Sequence, residues 1–164
     1  MGERDELLRG FDDARALLSA AVEGLADDDF GRPVGEGRWT VEDVINHVAA
    51  WDQAATAAVR ALVAGAPPAM RPVEDVDAWN EGAVAPHRGR RPPETLAALH
   101  AARDAFRAVV DAAPAELWAV EPRTGANGEA RNLPGIVRAW AGHDAAHAAE
   151  LRAVRDHGAE PRAS

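Results

Sequence analysis

His143 and His147 stand four residues apart in a segment whose apolar residues recur at helical spacing. At that separation two imidazoles project from one face of a helix and can share a single metal ion. Ile136, Trp140, Leu151 and Val154 fall on the same stripe, so the pair is expected to face inward. His47 lies three residues after Val44 and four before Trp51, on the border of a second apolar stripe. If the two stripes meet, three imidazoles converge. Three protein ligands with an open fourth position suit a catalytic divalent metal rather than a structural one. Asp144 and Glu150 are candidates to hold the imidazoles from behind. The competing reading is of histidines that only pack and hydrogen-bond in a core, with adjacent ring nitrogens still to be satisfied.

The remaining histidines carry weaker signals. His100, between Leu99 and Arg103, either lines the same interior or is half-exposed. His87 belongs to the basic run Pro86-His-Arg-Gly-Arg-Arg91, a loop surface with the chemistry to hold a carboxylate or phosphate. His157, beside Gly158, suits a cation at a helix C-terminus. Five Trp with no Tyr is an unusual ratio. Trp39, Trp51 and Trp140 lie close in sequence to the histidines, and Trp79 sits in a long crossover able to fold over the end of a bundle. With His100 they form a candidate apolar substrate pocket, against the alternative of ordinary large core residues.

Four long segments must position these residues. The first, from about Arg4 to Leu25, places Leu7, Phe11, Ala14, Leu18, Val22 and Leu25 at steps of four and three. The second opens at Thr40, an N-cap with Asp43 three positions on in the capping-box pattern. Its stripe runs through Val41, Val44, Ile45, Val48, Trp51, Ala55, Val59 and Leu62 to an end near Gly65, before Pro67-Pro68. The third starts at Pro93, a suitable first-turn proline, and runs to about Ala113 with Leu96, Leu99, Arg103, Phe106 and Val110 inward. The fourth has Asn132 as its cap and Pro134 in its first turn, and is stopped by Gly158 and Pro161. Between the second and third lies a crossover too long for neighbouring antiparallel helices, with a short helix capped by Asp75 inside it. The expected architecture is all-α: one domain over residues 1–164, a four-helix bundle whose second and third helices are free to run parallel.

Composition narrows the function. The 164 residues carry a formal charge of −9, and 39 of them are alanine, the best helix former. There is no cysteine, hence no thiolate nucleophile, disulfide framework or cysteine-based zinc finger. The acidic balance argues against a nucleic-acid partner. All 18 basic residues are arginine, which removes a Schiff-base or P-loop lysine. The N-terminal segment is acidic where a signal peptide is basic and then apolar, and no apolar run approaches a membrane span. A cytoplasmic location without membrane association is the expectation.

Two segments carry a resemblance. Arg38-Trp-Thr-Val-Glu-Asp-Val-Ile-Asn-His-Val-Ala-Ala-Trp-Asp52 resembles the second-helix signature of the DinB-like superfamily, and His143-Asp-Ala-Ala-His147 resembles its fourth-helix histidine pair. Helix count, order and the long crossover agree with it over nearly the whole chain. The resemblance implies up-down-down-up topology and a divalent metal, often zinc or nickel, on His47, His143 and His147. It also implies a thiol-dependent transferase or isomerase using mycothiol or a similar low-molecular-weight thiol, or a hydrolase. A second branch of that superfamily, the ClbS/DfsB-type resistance proteins, is similar through Trp-Thr-Val-Glu-Asp, Ala-Ala-Trp-Asp and Asp-Ala-Trp-Asn80, and implies protection from an electrophilic small molecule without an obligatory metal.

Three functions follow as expectations. The first is a metal-dependent enzyme in which His47, His143 and His147 hold the ion that activates water or a thiol for a small-molecule substrate. The second is a resistance protein that binds or opens an electrophile, with His47 or His143 as acid or base. The third is a non-catalytic bundle that forms a homodimer through its alanine-rich faces.

Overall fold

The computed structural model describes residues 2–23, 25–37, 39–66, 75–121 and 132–158, with residues 157 and 158 described by backbone alone. Five α-helices order the chain: α1 (Glu3–Val22), α2 (Val41–Val63), α3 (Val76–Val84), α4 (Pro92–Asp111) and α5 (Leu133–Gly158). The four long ones form the bundle; α3 is the short helix expected in the crossover. Pro67-Pro68, Pro161 and the His157 side chain lie outside the described residues.

The helix ends follow the local chemistry of the sequence. Thr40 Oγ1 accepts the Asp43 amide at 3.2 Å, and Asp43 Oδ2 accepts the Thr40 amide at 3.2 Å, a reciprocal capping box. Asp75 Oδ1 caps α3 through the Ala78 amide, and Asn132 Oδ1 caps α5 through the Gly135 amide. Helix α1 stops at Val22, short of the expected Leu25, because Glu23 turns extended. Leu25 still packs on the core from outside the helix. Pro92 and Pro93 both occupy the first turn of α4, where a missing N–H costs nothing.

Contacts between named residues fix the directions of the helices. Arg15 meets Asp144, and Arg155 donates to the Ala20 carbonyl, so α1 and α5 run parallel. Val44 and Leu99 share one end of the core, Val59 and Val110 the other, so α2 and α4 also run parallel. His47 meets His147 while Trp51 meets Trp140, so α2 and α5 are antiparallel. The bundle is therefore up-down-down-up, and α1 packs mainly on α5 and α2 on α4. Buried alanines at 21, 49, 55, 58, 102 and 148 let these helices approach closely. Among the described residues no helix is long and apolar enough to cross a membrane.

The core has two apolar ends. One gathers Leu18, Val41, Ile45, Leu99 and Leu151; the other gathers Phe11, Val59, Phe106, Ile136 and Trp140. On every long helix a charged residue sits between them in sequence: Arg15, Asp52, Arg103 and Asp144. These four make a buried polar layer across the middle of the bundle.

Candidate metal centre

Helices α2 and α5 bring the three histidines together. His47 Nε2 lies 3.0 Å from His143 Nε2. The ring centroids are 5.0 Å apart for His47 and His147, and 4.5 Å for His143 and His147. One ligand atom from each ring can be chosen so that all three lie within 4.8 Å of one another. Nitrogens sharing a tetrahedral zinc at about 2.0–2.1 Å are roughly 3.3 Å apart, so the closest pair is already near that spacing. The side chains are buried or half-buried, unlike an exposed histidine patch.

The protonation states suit ligation. Burial, followed by the neighbouring His147, pushes the His47 imidazole down to about 3. Burial does the same for His143, to about 3, helped by His147, His47 and the guanidinium groups of Arg15 and Arg103. Both rings are thus neutral at physiological pH, the form that binds a metal. His147 Nδ1 pairs with Glu150 Oε2 at 2.7 Å, which fixes the ring and leaves Nε2 as its nitrogen for a ligand. The Nδ1 atoms of His47 and His143 are buried with no hydrogen-bond partner among the described residues. The donor set therefore fits a divalent ion that accepts imidazole nitrogen, with Glu150 as the carboxylate among the described residues that orients a ligand. Asp144 does not orient one.

Asp144 belongs instead to the charged layer beneath the histidines. It accepts from Arg15 Nε at 3.1 Å and from Arg103 Nη2, while Arg15 Nη2 donates to Asp52 at 2.5 Å. Arg103 Nε comes within 3.4 Å of Asp52, and its guanidinium lies 4.2 Å from the centre of the Phe11 ring. Both carboxylates are fully buried. Burial raises the Asp52 carboxyl and lowers Arg103 to about 9, still protonated at neutral pH. Two cations and two anions leave the layer without net charge, which is what burial at this depth requires. Sequence reading placed Arg103 inward but missed Arg15 and Asp52. The available signal was one charged residue of balancing sign in the inner register of each helix.

A cleft of about 1130 Å³ opens above the histidines, with His47 and His147 among its lining residues. Its walls come from the loop before α2, the start of α2 and α3. An isolated bridge pairs Pro33 with Thr40, and Gly35, with φ near +59°, makes the turn between them. This loop carries Trp39 to the cleft, its ring 4.8 Å from that of His47. On the other side Arg88 donates to Asp43 at 2.8 Å and to Glu81 at 2.6 Å, tying the end of α3 to the start of α2. The basic loop thus holds carboxylates of its own chain.

Trp51, Trp79 and Trp140 do not line the cleft. Trp51 packs on Trp79 with centroids 4.3 Å apart, contacts Trp140 and His143, and donates from Nε1 to Asn80 at 3.0 Å. Trp140 is buried against Phe106. Of the five aromatic candidates, only Trp39 lines the cleft itself. His100 is exposed on α4 and is not a lining residue, because its position turns away from the stripe that Leu99 and Arg103 occupy.

Several solved structures share this fold. The mycothiol-dependent maleylpyruvate isomerase is 15% identical, with a TM-score of 0.77 over 92% of this chain. The chain spans only 61% of that enzyme's length. DfsB, described as a sibling lethal factor precursor, is 17% identical with a TM-score of 0.75, covering 98% of this chain and 99% of its own. YfiT from Bacillus subtilis, a probable metal-dependent hydrolase with an unusual four-helix bundle topology, is 22% identical with a TM-score of 0.73, covering 96% and 90%. No curated protein matches the sequence. The profile of the DinB superfamily matches residues 10–151, most of the chain and all three histidines, and the chain belongs to that superfamily.

Proposed function

We propose that this protein is a metal-dependent enzyme whose divalent ion, zinc or nickel, is held by His47, His143 and His147. One observation carries the reading: three imidazoles, two of them held neutral by burial, converge where His47 and His147 line an open cleft. A divalent ion bound there supplies Lewis acidity that brings the pKa of a water or thiol toward neutrality. The chain's own residues do the rest. Glu150 orients His147, the charged layer fixes α5 against α1, α2 and α4, and Trp39 covers one side of His47. With no cysteine, a sulfur nucleophile has to enter with a cofactor such as mycothiol or another low-molecular-weight thiol. Hydrolysis with water and thiol-dependent transfer or isomerisation both fit the site, and a small-molecule substrate fits the cleft. The test is elemental analysis of untagged protein before and after metal reconstitution. About one equivalent of zinc or nickel, lost in a variant carrying Ala at all three histidines, is expected. No bound metal and no uptake on addition would overturn the reading.

A second reading has its own support in DfsB, which matches this chain over nearly the full length of both. In it the cleft protects against an electrophilic small molecule without metal, with His47 or His143, 3.0 Å apart at Nε2, as the base toward the bound molecule or its water. The triple alanine variant separates the two readings: protection that survives with the fold intact favours binding alone.

A further inference from the structure

The walls of the cleft are strongly acidic. Among the described residues Glu36, Glu42, Asp43, Asp77, Glu81 and Glu150 line it, with Arg88 as the single guanidinium. Most of these carboxylates are committed. Glu42 accepts the amides of Gly89 and Arg90, Asp43 and Glu81 share Arg88, and Glu150 holds His147. Arg88 is therefore spent on two anions of its own chain and is not free to receive a third.

Glu36 and Asp77 are different. They are exposed, stand on separate walls (the loop before α2 and α3 respectively), and have no partner among the described residues. Trp39, on the same loop as Glu36, lines the cleft with its ring 4.8 Å from that of His47, which is 5% exposed and has its Nδ1 unpartnered among the described residues. Carboxylates around an aromatic face make a site for an organic cation, by direct charge attraction and by the ring's quadrupole. A cleft lined by one sign of charge also concentrates ions of the other sign. A divalent ion on the histidines would still leave the carboxylates in excess.

Resting on the metal reading above, we propose that the substrate or cosubstrate of this cleft is cationic: a protonated amine or guanidine received between Glu36, Asp77 and the face of Trp39. A small dicarboxylate such as maleylpyruvate is disfavoured in this cleft.

Three thiols of similar size and different charge make the test: cysteamine, 2-mercaptoethanol and 3-mercaptopropionate. Each is titrated into cobalt-loaded protein at low ionic strength, read by the cobalt–thiolate absorption, with affinities compared at equal thiolate concentration. Cysteamine is expected to bind at least ~10-fold more tightly than 3-mercaptopropionate, with 2-mercaptoethanol between them. The double variant Glu36→Gln/Asp77→Asn, or about 0.5 M salt, should shrink that ratio to roughly 3-fold or less. Equal or tighter binding of the anion overturns the proposal, as does a ratio that the double variant leaves unchanged. If the protein takes up no cobalt, the metal reading fails by itself. The charge order is then read in metal-free protein from the tryptophan indole N–H shifts, where cysteamine must perturb Trp39 at lower concentration than 3-mercaptopropionate.

Discussion

Replacing Asp144 by Asn tests the charged layer most directly. The carboxylate accepts from Arg15 Nε at 3.1 Å, from Arg15 Nη2 at 3.4 Å and from Arg103 Nη2, and it is completely buried. The substitution keeps the shape and removes the charge, so Arg15 and Arg103 must share Asp52 alone. Breaking one partner out of a buried ion network costs ~3–5 kcal/mol, because the remaining charge stays buried without compensation. For a chain of this size each kcal/mol moves Tm by about 2–4 °C, so the expected fall is about 6–20 °C. Arg103→Met in the same background restores neutrality and leaves the Arg15–Asp52 pair, 2.5 Å apart, intact. The double variant should therefore be more stable than the sum of the two single losses by at least ~1 kcal/mol. The assay is urea unfolding in EDTA, followed by tryptophan fluorescence and far-UV circular dichroism, so that metal linkage does not enter. If Asp144→Asn lies within ~1 kcal/mol of the parent at constant m, or the two losses simply add, the layer is not the coupled unit described.

Other outcomes follow from the same geometry. His47 and His143 are held at about 3 against an ordinary 6.5, so between those values the unfolded chain binds more protons and metal-free stability falls as pH is lowered. Unfolding from about pH 7 to about pH 4.5 should show a loss of a few kcal/mol; Asp52, whose carboxyl burial raises, acts with the opposite sign. An equally steep loss in His47→Asn/His143→Asn would place its origin elsewhere. Glu150→Gln should weaken metal binding by ~10–100-fold, measured by competition with a chelator, with little change in Tm of the metal-free protein. Arg88→Gln should speed hydrogen exchange across Val76–Val84, since Arg88 joins Glu81 to Asp43; unchanged protection would show that α3 is held by its apolar contacts alone. Thr40→Ala should cost ~1 kcal/mol through the lost N-cap in chemical denaturation.

The superfamily assignment and the bundle were legible because they rest on local signals. Thr40 with Asp43, Asp75 with Ala78 and Asn132 with Gly135 are contacts within one turn, so the sequence announces them directly. The pairing of His143 and His147 is of the same kind: four residues on one helix share a face whatever surrounds them. His100 marks the limit of this reasoning. It follows Leu99 directly, and a step of one residue turns the side chain about 100° around the helix, enough to leave the interior.

By itself the sequence determined the four long helices, their caps, the inward stripes and the existence of a histidine pair, since all of these depend on neighbours within a few positions. Only the tertiary structure decided that His47 meets that pair and that Glu150 rather than Asp144 supports it. The tertiary structure alone also assembled Arg15, Asp52, Arg103 and Asp144 into one neutral layer. Those contacts join residues up to 129 positions apart. They depend on how each helix is rotated and staggered against the others, which side-chain packing across all four helices sets and no single segment encodes.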